Sequence, residues 1–326
     1  MAEAVHAVIL TRDEERHIAR CIASLRGQCA SVTVVDSGST DRTVAIARRL
    51  GADVLTNRWV NHATQMNVAI RALERRGGWL LRIDADEVLD PDSRGSLPEA
   101  VAAAGPGVDG LLLQRRIHFL GRRIRHGSIE PIWQLRLWRN GRGRCEQRWM
   151  DEHIKVEGAV ARTGLVLSDI NLNSVTWWTG KHTGYAAREA IDILNHRYGF
   201  LPRDAFAESG TSFQIRAKRF IKENVYWKLP GGSRALAYFL YRFFLRLGFL
   251  DGVPGYYFHL LQGLWYRTLV DAAVQEILAH AEGRGIPIVD AIRERTGIDP
   301  TPPEMAAPAA AARPQAAPAV SREGAH

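Results

Sequence analysis

Residues 79–87 read Trp-Leu-Leu-Arg-Ile-Asp-Ala-Asp-Glu, an apolar run that ends in two carboxylates, Asp84 and Asp86, with Ala85 between them. The run predicts a short buried strand. Two carboxylates leaving a strand end at this spacing are suited to one divalent ion and the diphosphate that it binds, and an oxygen-rich site of this kind favours Mg²⁺ or Mn²⁺. The alternative is a solvated acidic turn before Pro91.

Strands and helices alternate through the residues that precede this motif. Strand-like runs at 4–10, 32–35 and 53–56 are each followed by a helical pattern. Such alternation is typical of a parallel sheet covered by helices. Ser39 or Thr40 is expected to cap the helix that follows the second strand.

Polar residues stand at the carboxyl ends of these strands, which is where ligands of parallel sheets collect. They are Thr11, Asp36 and Asp84. Neither a Gly-x-Gly-x-x-Gly after the first strand nor a Gly-Lys-Ser/Thr loop occurs, so a dinucleotide site or a P-loop is poorly supported. A nucleotide would instead be held through carboxylates: Asp36 on a base N–H, Asp84 on ribose or base, and Asp86 on the diphosphate through the metal.

Several short motifs follow one another along the chain. They are Val-Ile-Leu-Thr-Arg-Asp-Glu-Glu at 8–15, Val-Val-Asp-Ser-Gly-Ser-Thr-Asp-Arg-Thr at 34–43, Asp-Ala-Asp-Glu at 84–87, Phe-Leu-Gly-Arg-Arg-Ile-Arg-His-Gly at 119–127, Gln-Leu-Arg-Leu-Trp-Arg at 134–139, Asp-Glu-His-Ile-Lys-Val-Glu-Gly at 151–158 and Gly-Phe-Leu-Asp-Gly at 248–252. With these motifs the chain resembles the family-2 glycosyltransferases of the GT-A fold, and within them the lipopolysaccharide-core and exopolysaccharide branch. The likeness covers about residues 5–275.

The resemblance implies a nucleotide-sugar donor at the strand ends and a divalent metal, Mg²⁺ or Mn²⁺, bound at Asp86. Met66 stands where related chains often carry a lysine, which removes a phosphate contact from that position. The side chains expected to bind the nucleotide-sugar are Thr11, Glu14, Asp36, Ser39, Gln65, Asn67, Asp84, Ala85 and Arg136.

A catalytic base is expected in the segment Asp151-Glu152-His153. In a single-displacement glycosyl transfer a carboxylate removes the acceptor hydroxyl proton, while metal and basic groups stabilise the leaving nucleoside diphosphate. Glu152 matches the acidic residue of the family's motif and is the candidate, with Asp151 as the alternative. His153 is a candidate metal ligand. In the purely structural alternative, Asp151 caps a turn and His153 is a core histidine.

Two pairs of side chains farther along have candidate roles with structural alternatives. Arg136 and Arg139, on a predicted strand, either neutralise the diphosphate or face solvent. Trp177 and Trp178 precede a helix predicted to begin at about Gly184. On a strand they would point to opposite faces, so at most one could stack on a sugar.

The charge balance is basic, with 43 Lys and Arg against 35 Asp and Glu for a net +8. No helix-turn-helix, zinc-finger or RNA-binding sheet motif accompanies it, so nucleic acid is not a predicted partner. Cys21, Cys29 and Cys145 form no Cys-x-x-Cys pair, which suits a reducing cytoplasm. No signal peptide is expected, because the first strand begins within five residues of Met1.

A second candidate partner for a basic chain is an anionic membrane surface. Arg234, Arg242 and Arg246 fall on one helical stripe of the segment 234–250, whose remaining face is aromatic and aliphatic. The segment is too short and too charged to span a bilayer. We expect it to lie in the membrane interface with its arginines toward lipid phosphates, paired with a second helix at about 256–280. The alternative is that both helices pack on the catalytic domain and the arginines face water.

These features predict an α/β fold, with a GT-A domain built on a Rossmann-like, mostly parallel sheet in residues 1–230. Its nucleotide half would be 1–105 and its acceptor half 106–230. A helical, membrane-associating region would follow over 231–300, and a disordered Pro/Ala-rich tail over 301–326.

The predicted function is an inverting, metal-assisted transfer of a sugar from a nucleotide-sugar, with UDP the favoured nucleotide. The predicted acceptor is a lipid-linked saccharide or the lipopolysaccharide core, and the location is peripheral, at the cytoplasmic face of the cell membrane. Two alternatives remain at this stage. One is transfer to polyprenyl phosphate, and the other is a catalytically idle GT-A scaffold that binds nucleotide-sugar and membrane.

Overall fold

The computed structural model describes residues 3–150, 152–201 and 233–302. Its first half is the predicted alternation of strands and helices. The strands β1 (Val5–Thr11), β2 (Ser31–Asp36), β3 (Asp53–Thr56) and β4 (Trp79–Asp84) lie side by side in the order β3-β2-β1-β4 and run parallel. Helices α1 (Ile18–Ser24), α2 (Thr43–Arg49) and α3 (His62–Leu73) connect them.

Strand β4 is an unbroken apolar run because both of its faces are covered, as in other parallel sheets. Trp79, Leu81 and Ile83 are fully buried in the core cluster that contains α1. Leu80 points the other way, into the cluster that contains Met66 of α3. The period-two alternation of a strand therefore divides one apolar run between two cores.

The predicted cap of α2 is wrong. The helix begins at Thr43, and neither Ser39 nor Thr40 caps it. The Asp41 carboxylate instead accepts the backbone N–H of Thr43 at 2.9 Å. Ser39 is drawn away because its hydroxyl accepts the N–H of Asp13, at 2.9 Å, from the loop after β1.

The second half of the sheet is mixed. It consists of β5 (Glu87–Leu89), β6 (Val108–Phe119), β7 (Arg122–Ile124), β8 (Ile132–Arg139) and β11 (Ala159–Ile170). In the described part, the sheet has nine strands in the order β3-β2-β1-β4-β8-β6-β11-β5, with β7 beside β6. Strand β8 runs antiparallel to both β4 and β6. The predicted GT-A fold is thus confirmed, with a mixed rather than a mostly parallel sheet.

Two smaller elements complete this half of the chain. Helix α4 (Leu97–Ala102) begins with a capping box formed by Ser96 and Glu99. Strands β9 (Gly143–Cys145) and β10 (Ile154–Val156) form a separate antiparallel ribbon next to the predicted catalytic segment.

Helices follow the sheet, and the first corrects a prediction. Helix α5 (Val175–Tyr198) begins well before Gly184, because Ser174 caps it by accepting the N–H of Trp177. Trp177 and Trp178 are therefore in a helix and not on a strand. The later helices are α6 (Ser233–Leu240), α7 (Gly252–Phe258), α8 (Tyr266–Arg284) and α9 (Ile288–Thr296), with π-helical turns at Tyr241–Leu245 and His259–Trp265 and a 3₁₀ turn at Gly248–Asp251.

The C-terminal helices dock on the sheet through two of the motifs found in the sequence. Asp251 accepts the backbone N–H groups of Arg125 and His126 at 3.0 and 2.8 Å. The same carboxylate lies 2.8 Å from the His126 ring. Its two oxygens thereby join the motif at 248–252 to the motif at 119–127.

The predicted orientation of the arginine stripe is wrong. Arg234 and Arg242 are buried, 7% and 2% exposed. Arg234 pairs with Asp271 of α8, Arg242 donates to the Gly127 carbonyl, and Arg246 donates to the Ser128 hydroxyl. Arg234 and Arg242 therefore face the protein and not lipid or water, whereas Arg246 stays exposed. No helix in the described ranges combines the length and apolarity that crossing a bilayer requires.

The three cysteines are free, as predicted. Of the predicted disordered tail, residues 303–326 lie outside the described residues.

Candidate active site

The carboxyl ends of β1, β2 and β4 meet at one edge of the sheet, as predicted. The strand register places Thr11 opposite Asp36 and Leu10 opposite Asp84. Polar groups that are far apart in the sequence thus become neighbours at this edge.

Asp36 organises the loop that follows β2. One carboxylate oxygen accepts the N–H groups of Gly38 and Ser39, both at 2.9 Å. The other accepts the hydroxyls of Ser39 and of Thr11, the latter at 3.1 Å. A carboxylate accepts about four hydrogen bonds. The predicted contact of Asp36 with a nucleotide base would therefore have to replace one of these bonds.

Glu14 is fixed by a histidine that the sequence did not single out. His17 is 1% exposed, and its Nε2 accepts the N–H of Leu172 at 2.9 Å. The proton of neutral His17 is then on Nδ1, which donates to the Glu14 carboxylate at 2.6 Å. The second oxygen of Glu14 lies 4.0 Å from Nζ of Lys181.

Arginines compensate the charge of Asp84. Arg136 lies 3.1 Å from one of its oxygens and Arg82 3.6 Å from the other. Burial alone would raise the pKa of Asp84, but the two guanidinium groups outweigh burial and hold its pKa well below the usual range. Arg136 also contacts Glu87 at 2.8 Å, so its place beside the site agrees with the prediction while its partners are carboxylates.

Asp86 is held differently. Its backbone carbonyl accepts Nη2 of Arg20 and the N–H of Ile170, both at 3.0 Å. Its side-chain oxygen Oδ2 accepts the amide of Asn171 at 3.1 Å. Among the described residues no ion pair to this carboxylate lies within 4.0 Å, so the Asp86 side chain keeps an uncompensated charge at the sheet edge.

Asp169 shows that the edge is electronegative. It lies 2.6 Å from Arg115, yet burial and the charges of Asp86, Glu87 and Asp84 raise its pKa to about 7. Burial is the larger cause, and the three neighbouring carboxylates add to it, so Asp169 lies among like charges. A cation is favoured at such a place.

Lys181 and Tyr185 of α5 complete this edge, and the sequence analysis missed both. Nζ of Lys181 lies 4.8 Å from the ring centroid of Trp177. Burial would lower the pKa of Lys181, but its interactions with Tyr185 and with the carboxylates of Asp86 and Glu14 outweigh burial and raise the pKa. The available signal was helical spacing, since Trp177, Lys181 and Tyr185 are four residues apart and share one helix face. This spacing was missed because the tryptophans were treated as strand residues.

The candidate base Glu152 lies beside β4. Its Oε1 is 2.8 Å from Nη2 of Arg82, and its side chain is 8% exposed. His62 of α3 is close enough for the charge of Glu152 to act on it, although burial still keeps the pKa of His62 below the usual range. The alternative base, Asp151, lies outside the described residues.

His153 is turned toward another carboxylate. Its Nδ1 lies 2.8 Å from Glu146, and its side chain is 64% exposed. It is not the core histidine of the structural alternative. Its predicted role as a metal ligand stays a prediction.

Gln65 and Asn67 are buried and bonded to the protein itself. Gln65 donates to the carbonyls of Asn57 and Arg58. Asn67 exchanges two hydrogen bonds with the backbone of Cys145. Neither amide can reach a nucleotide-sugar without giving up these bonds. Ala85, another predicted binding residue, is buried, with 3% of its surface exposed.

Across residues 3–150, 152–201 and 233–302, no three His, Cys, Asp or Glu side chains form a group that could hold a metal ion by themselves. Mg²⁺ commonly uses one or two carboxylates and completes its shell with water and substrate phosphates. The uncompensated Asp86 carboxylate at an electronegative edge fits an ion of that kind. Asp84 is the weaker ligand because two arginines already compensate it.

A parallel nucleotide half joined to a mixed second half, with Asp-x-Asp at its carboxyl edge, defines a GT-A-type domain. The family follows from comparison with known sequences: residues 7–160 match glycosyl transferase family 2. Residues 7–160, a little under half of the chain, are therefore similar to a family-2 glycosyltransferase domain.

Among its relatives, the lipopolysaccharide core biosynthesis glycosyltransferase LpsC of Rhizobium meliloti is 36% identical over 169 residues, which are 49% of this chain and 61% of LpsC. An uncharacterized glycosyltransferase of Rickettsia conorii is 40% identical over 92 residues, 28% of this chain and 32% of the relative. The chain thus spans less than two thirds of the length of these relatives.

Solved structures give a weaker likeness. Glucosyl-3-phosphoglycerate synthase of Mycobacterium tuberculosis, in complex with Mn²⁺, UDP and glucosyl-3-phosphoglycerate, is 20% identical over 36% of this chain and 44% of that chain, with a TM-score of 0.28. Mannosyl-3-phosphoglycerate synthase of Rubrobacter xylanophilus is 22% identical over 35% and 41%, also with a TM-score of 0.28. Scores this low carry no functional argument.

Proposed function

We propose that this protein transfers a sugar, with inversion, from a nucleotide-sugar to a saccharide acceptor of the lipopolysaccharide-core or lipid-linked type. The observation that carries the proposal is the Asp86 carboxylate at the carboxyl edge of β4, which has no ion pair within 4.0 Å among the described residues and whose charge acts on Lys181. The similarity to LpsC supports the acceptor class.

The donor would lie across the ends of β1, β2 and β4. Asp86, with Asp84 beside it, would hold Mg²⁺ or Mn²⁺, and the ion would supply charge neutralisation at the diphosphate. Asp84 stays ionised because Arg82 and Arg136 flank it. UDP is the favoured nucleotide of this proposal.

Lys181 would provide the phosphate contact that Met66 does not. Met66 is fully buried in the α3 core, so no cation reaches the site from that position. Lys181 reaches it from α5, and its raised pKa keeps it protonated at neutral pH. A fixed ammonium group at the leaving diphosphate stabilises charge that increases in the transition state.

The transfer step would be a single displacement. The acceptor hydroxyl oxygen bonds to the anomeric carbon as the bond from that carbon to the diphosphate oxygen breaks. The hydroxyl proton passes to the base, and the nucleoside diphosphate leaves with the bonding electrons. Glu152 is the proposed base, because Arg82 at 2.8 Å holds its carboxylate in place beside β4.

A panel of nucleotide-sugars tested by thermal shift with Mn²⁺ checks the donor half. A donor at about 100 times its Kd should stabilise the fold by about 2.7 kcal/mol. Binding without hydrolysis or transfer would favour an idle scaffold, and transfer to polyprenyl phosphate in preference to a saccharide would favour that alternative. No stabilisation by any nucleotide-sugar would refute the proposal.

A further inference from the structure

The segment 236–257 presents large apolar side chains to solvent, and we call this surface the apolar face. Leu245 is 75% exposed and Val253 67% exposed. The members of the apolar face, each more than 40% exposed, are Leu236, Leu240, Tyr241, Phe244, Leu245, Leu247, Phe249, Leu250, Val253, Tyr256 and Tyr257.

The apolar face is exposed because the polar stripe of the same segment packs on the protein. Arg234 pairs with Asp271, and Arg242 donates to the Gly127 carbonyl and to Gln262. A surface helix of a soluble protein normally buries its apolar stripe and exposes its polar one. In this segment the apolar side chains are exposed, while Arg234 and Arg242 of the polar stripe are buried. Single exposed apolar residues are normal, but a contiguous group of this size marks an interaction site.

The turn after α6 adds an independent observation. Leu247 has φ of +60°, in the left-handed region that a leucine rarely adopts. That backbone conformation costs free energy. The Leu247 side chain is 47% exposed. Core packing of Leu247 therefore does not account for it.

Exposed arginines border the apolar face. Arg122 approaches Gly252, at 3.3 Å from the position a Cβ would take there. Arg125 lies at the Asp251 carboxylate, through its backbone N–H, and Arg246 stands within the segment itself. Arg122, Arg125 and Arg246 are all exposed and form a basic rim.

We propose that the apolar face inserts into the interfacial layer of an anionic bilayer and that the basic rim contacts the lipid phosphates. An apolar surface bordered by arginines matches the chemistry of that interface. A second copy of this chain fits less well, since a two-fold pair sets the same surface against itself and would bring two basic rims together. The membrane is that of the predicted location, the inner face of the cell membrane, which agrees with the free cysteines.

This docking mode does not depend on the proposed chemistry, because the apolar face contains none of the site residues. It also differs from the mode expected from the sequence. The buried arginines Arg234 and Arg242 hold the helices on the protein, and the aromatic and aliphatic side chains make the contact with lipid.

Co-sedimentation of the full chain with vesicles tests the proposal. The vesicles are phosphatidylcholine alone or phosphatidylcholine with phosphatidylglycerol, each over a salt series. The double variant Leu245→Glu/Val253→Glu should bind both kinds of vesicle at least about tenfold more weakly, since it removes apolar burial at the two most exposed positions. Val160→Glu, at a residue 44% exposed near the start of β11 and away from the site, is the matched control and should bind like the wild type.

A second variant leaves the apolar face intact. Arg122→Gln/Arg125→Gln should weaken binding to the anionic vesicles by about fivefold per arginine and reduce its salt dependence, with little change on neutral vesicles. Nucleotide-sugar binding should be unchanged in all variants, which separates this test from that of the proposed function. Absence of wild-type binding, or equal binding by Leu245→Glu/Val253→Glu, would overturn the proposal. So would a wild-type dimer in size-exclusion chromatography that the same double variant converts to monomer.

Discussion

Arg82 and Glu152 form an ion pair of 2.8 Å between Nη2 and Oε1, with side chains 13% and 8% exposed. The pair joins the strand that ends in Asp84 to the segment that carries the candidate base. Arg82 also lies 3.6 Å from Asp84, so one guanidinium holds a donor-side carboxylate and the proposed base at a defined separation. A single displacement requires a base at a fixed position, because proton removal depends on the distance between the base and the acceptor hydroxyl.

The first prediction concerns this base. Glu152→Gln keeps the shape of the side chain but cannot take a proton, so turnover should fall roughly 100-fold or more. The Kd for donor should change little, because Glu152 contacts Arg82 rather than the Asp86 edge. Steady-state kinetics and donor titration measure the two quantities. If Asp151→Asn is the inactive variant and Glu152→Gln is not, the base is Asp151.

The second prediction concerns the metal. Asp86→Asn should abolish the Mn²⁺-dependent part of nucleotide-sugar binding, while leaving the thermal unfolding temperature within a few degrees of wild type, because the half-buried carboxylate has no ion pair within 4.0 Å among the described residues. Asp92→Asn is the matched control, since Asp92 is 78% exposed and pairs with Arg116 away from the site. Full metal-dependent binding by Asp86→Asn would rule out this ligand.

The third prediction concerns Lys181. Lys181→Gln should weaken binding of a nucleoside diphosphate by about 10- to 100-fold, the usual range for a lost hydrogen bond to a charged group. Binding of the corresponding nucleoside should be unaffected. Lys155→Gln, on the β9–β10 ribbon, is the control. Equal losses for nucleoside and diphosphate would mean that Lys181 supports the fold of the site rather than the phosphates.

The fourth prediction concerns the buried ion pair of Arg234 and Asp271, in which Nε and Oδ2 are 2.7 Å apart. Arg234→Gln should destabilise the protein by about 3–5 kcal/mol, because it removes a guanidinium group that is bonded to the buried Asp271 carboxylate. The double variant Arg234→Met/Asp271→Leu should recover much of that loss. Arg42→Gln, at a pair with an 81% exposed arginine, should cost about 1 kcal/mol or less.

Urea unfolding measures these differences. If Arg234→Gln is as stable as Arg42→Gln but no longer binds vesicles, the result contradicts this prediction. It would instead support the orientation expected from the sequence, in which the arginine stripe faces lipid.

The fifth prediction is a pH dependence of stability. Burial lowers the pKa of His182 and of His259 to about 4. Above pH 6.5 each ring is neutral in both the folded and the unfolded chain. Between pH 6.5 and about 4 the unfolded chain takes up protons that the folded chain does not, so the free energy of unfolding should fall as the pH falls.

Each histidine contributes a slope of at most about 1.4 kcal/mol per pH unit. His259→Phe should therefore flatten the fall. Parallel stability curves for His259→Phe and wild type over this range would contradict the assignment.

Local sequence determined the nucleotide half of the sheet. Strands β1 to β4 and the helices between them were predicted because each has its own apolar period, and a strand end is visible in the sequence as a polar residue after an apolar run. The same local signal identified Thr11, Asp36 and Asp84 as residues at the strand ends of one edge, and their register in the structure agrees. A strand at residues 134–139 was predicted, but its antiparallel pairing was not, since pairing direction depends on contacts with distant strands.

The tertiary structure alone decided which charges are free and which are compensated. Asp84 and Asp86 are alike in the sequence, yet Arg136 and Arg82 reach only the first within ion-pair distance. Lys181 enters the site because α5 begins at Val175, a consequence of the Ser174 cap and of the way that helix packs. The arginine stripe shows the same limit most clearly. Helical periodicity defines two faces of the segment, but which face the protein buries depends on partners such as Asp271 and the Gly127 carbonyl, which lie far away in the sequence.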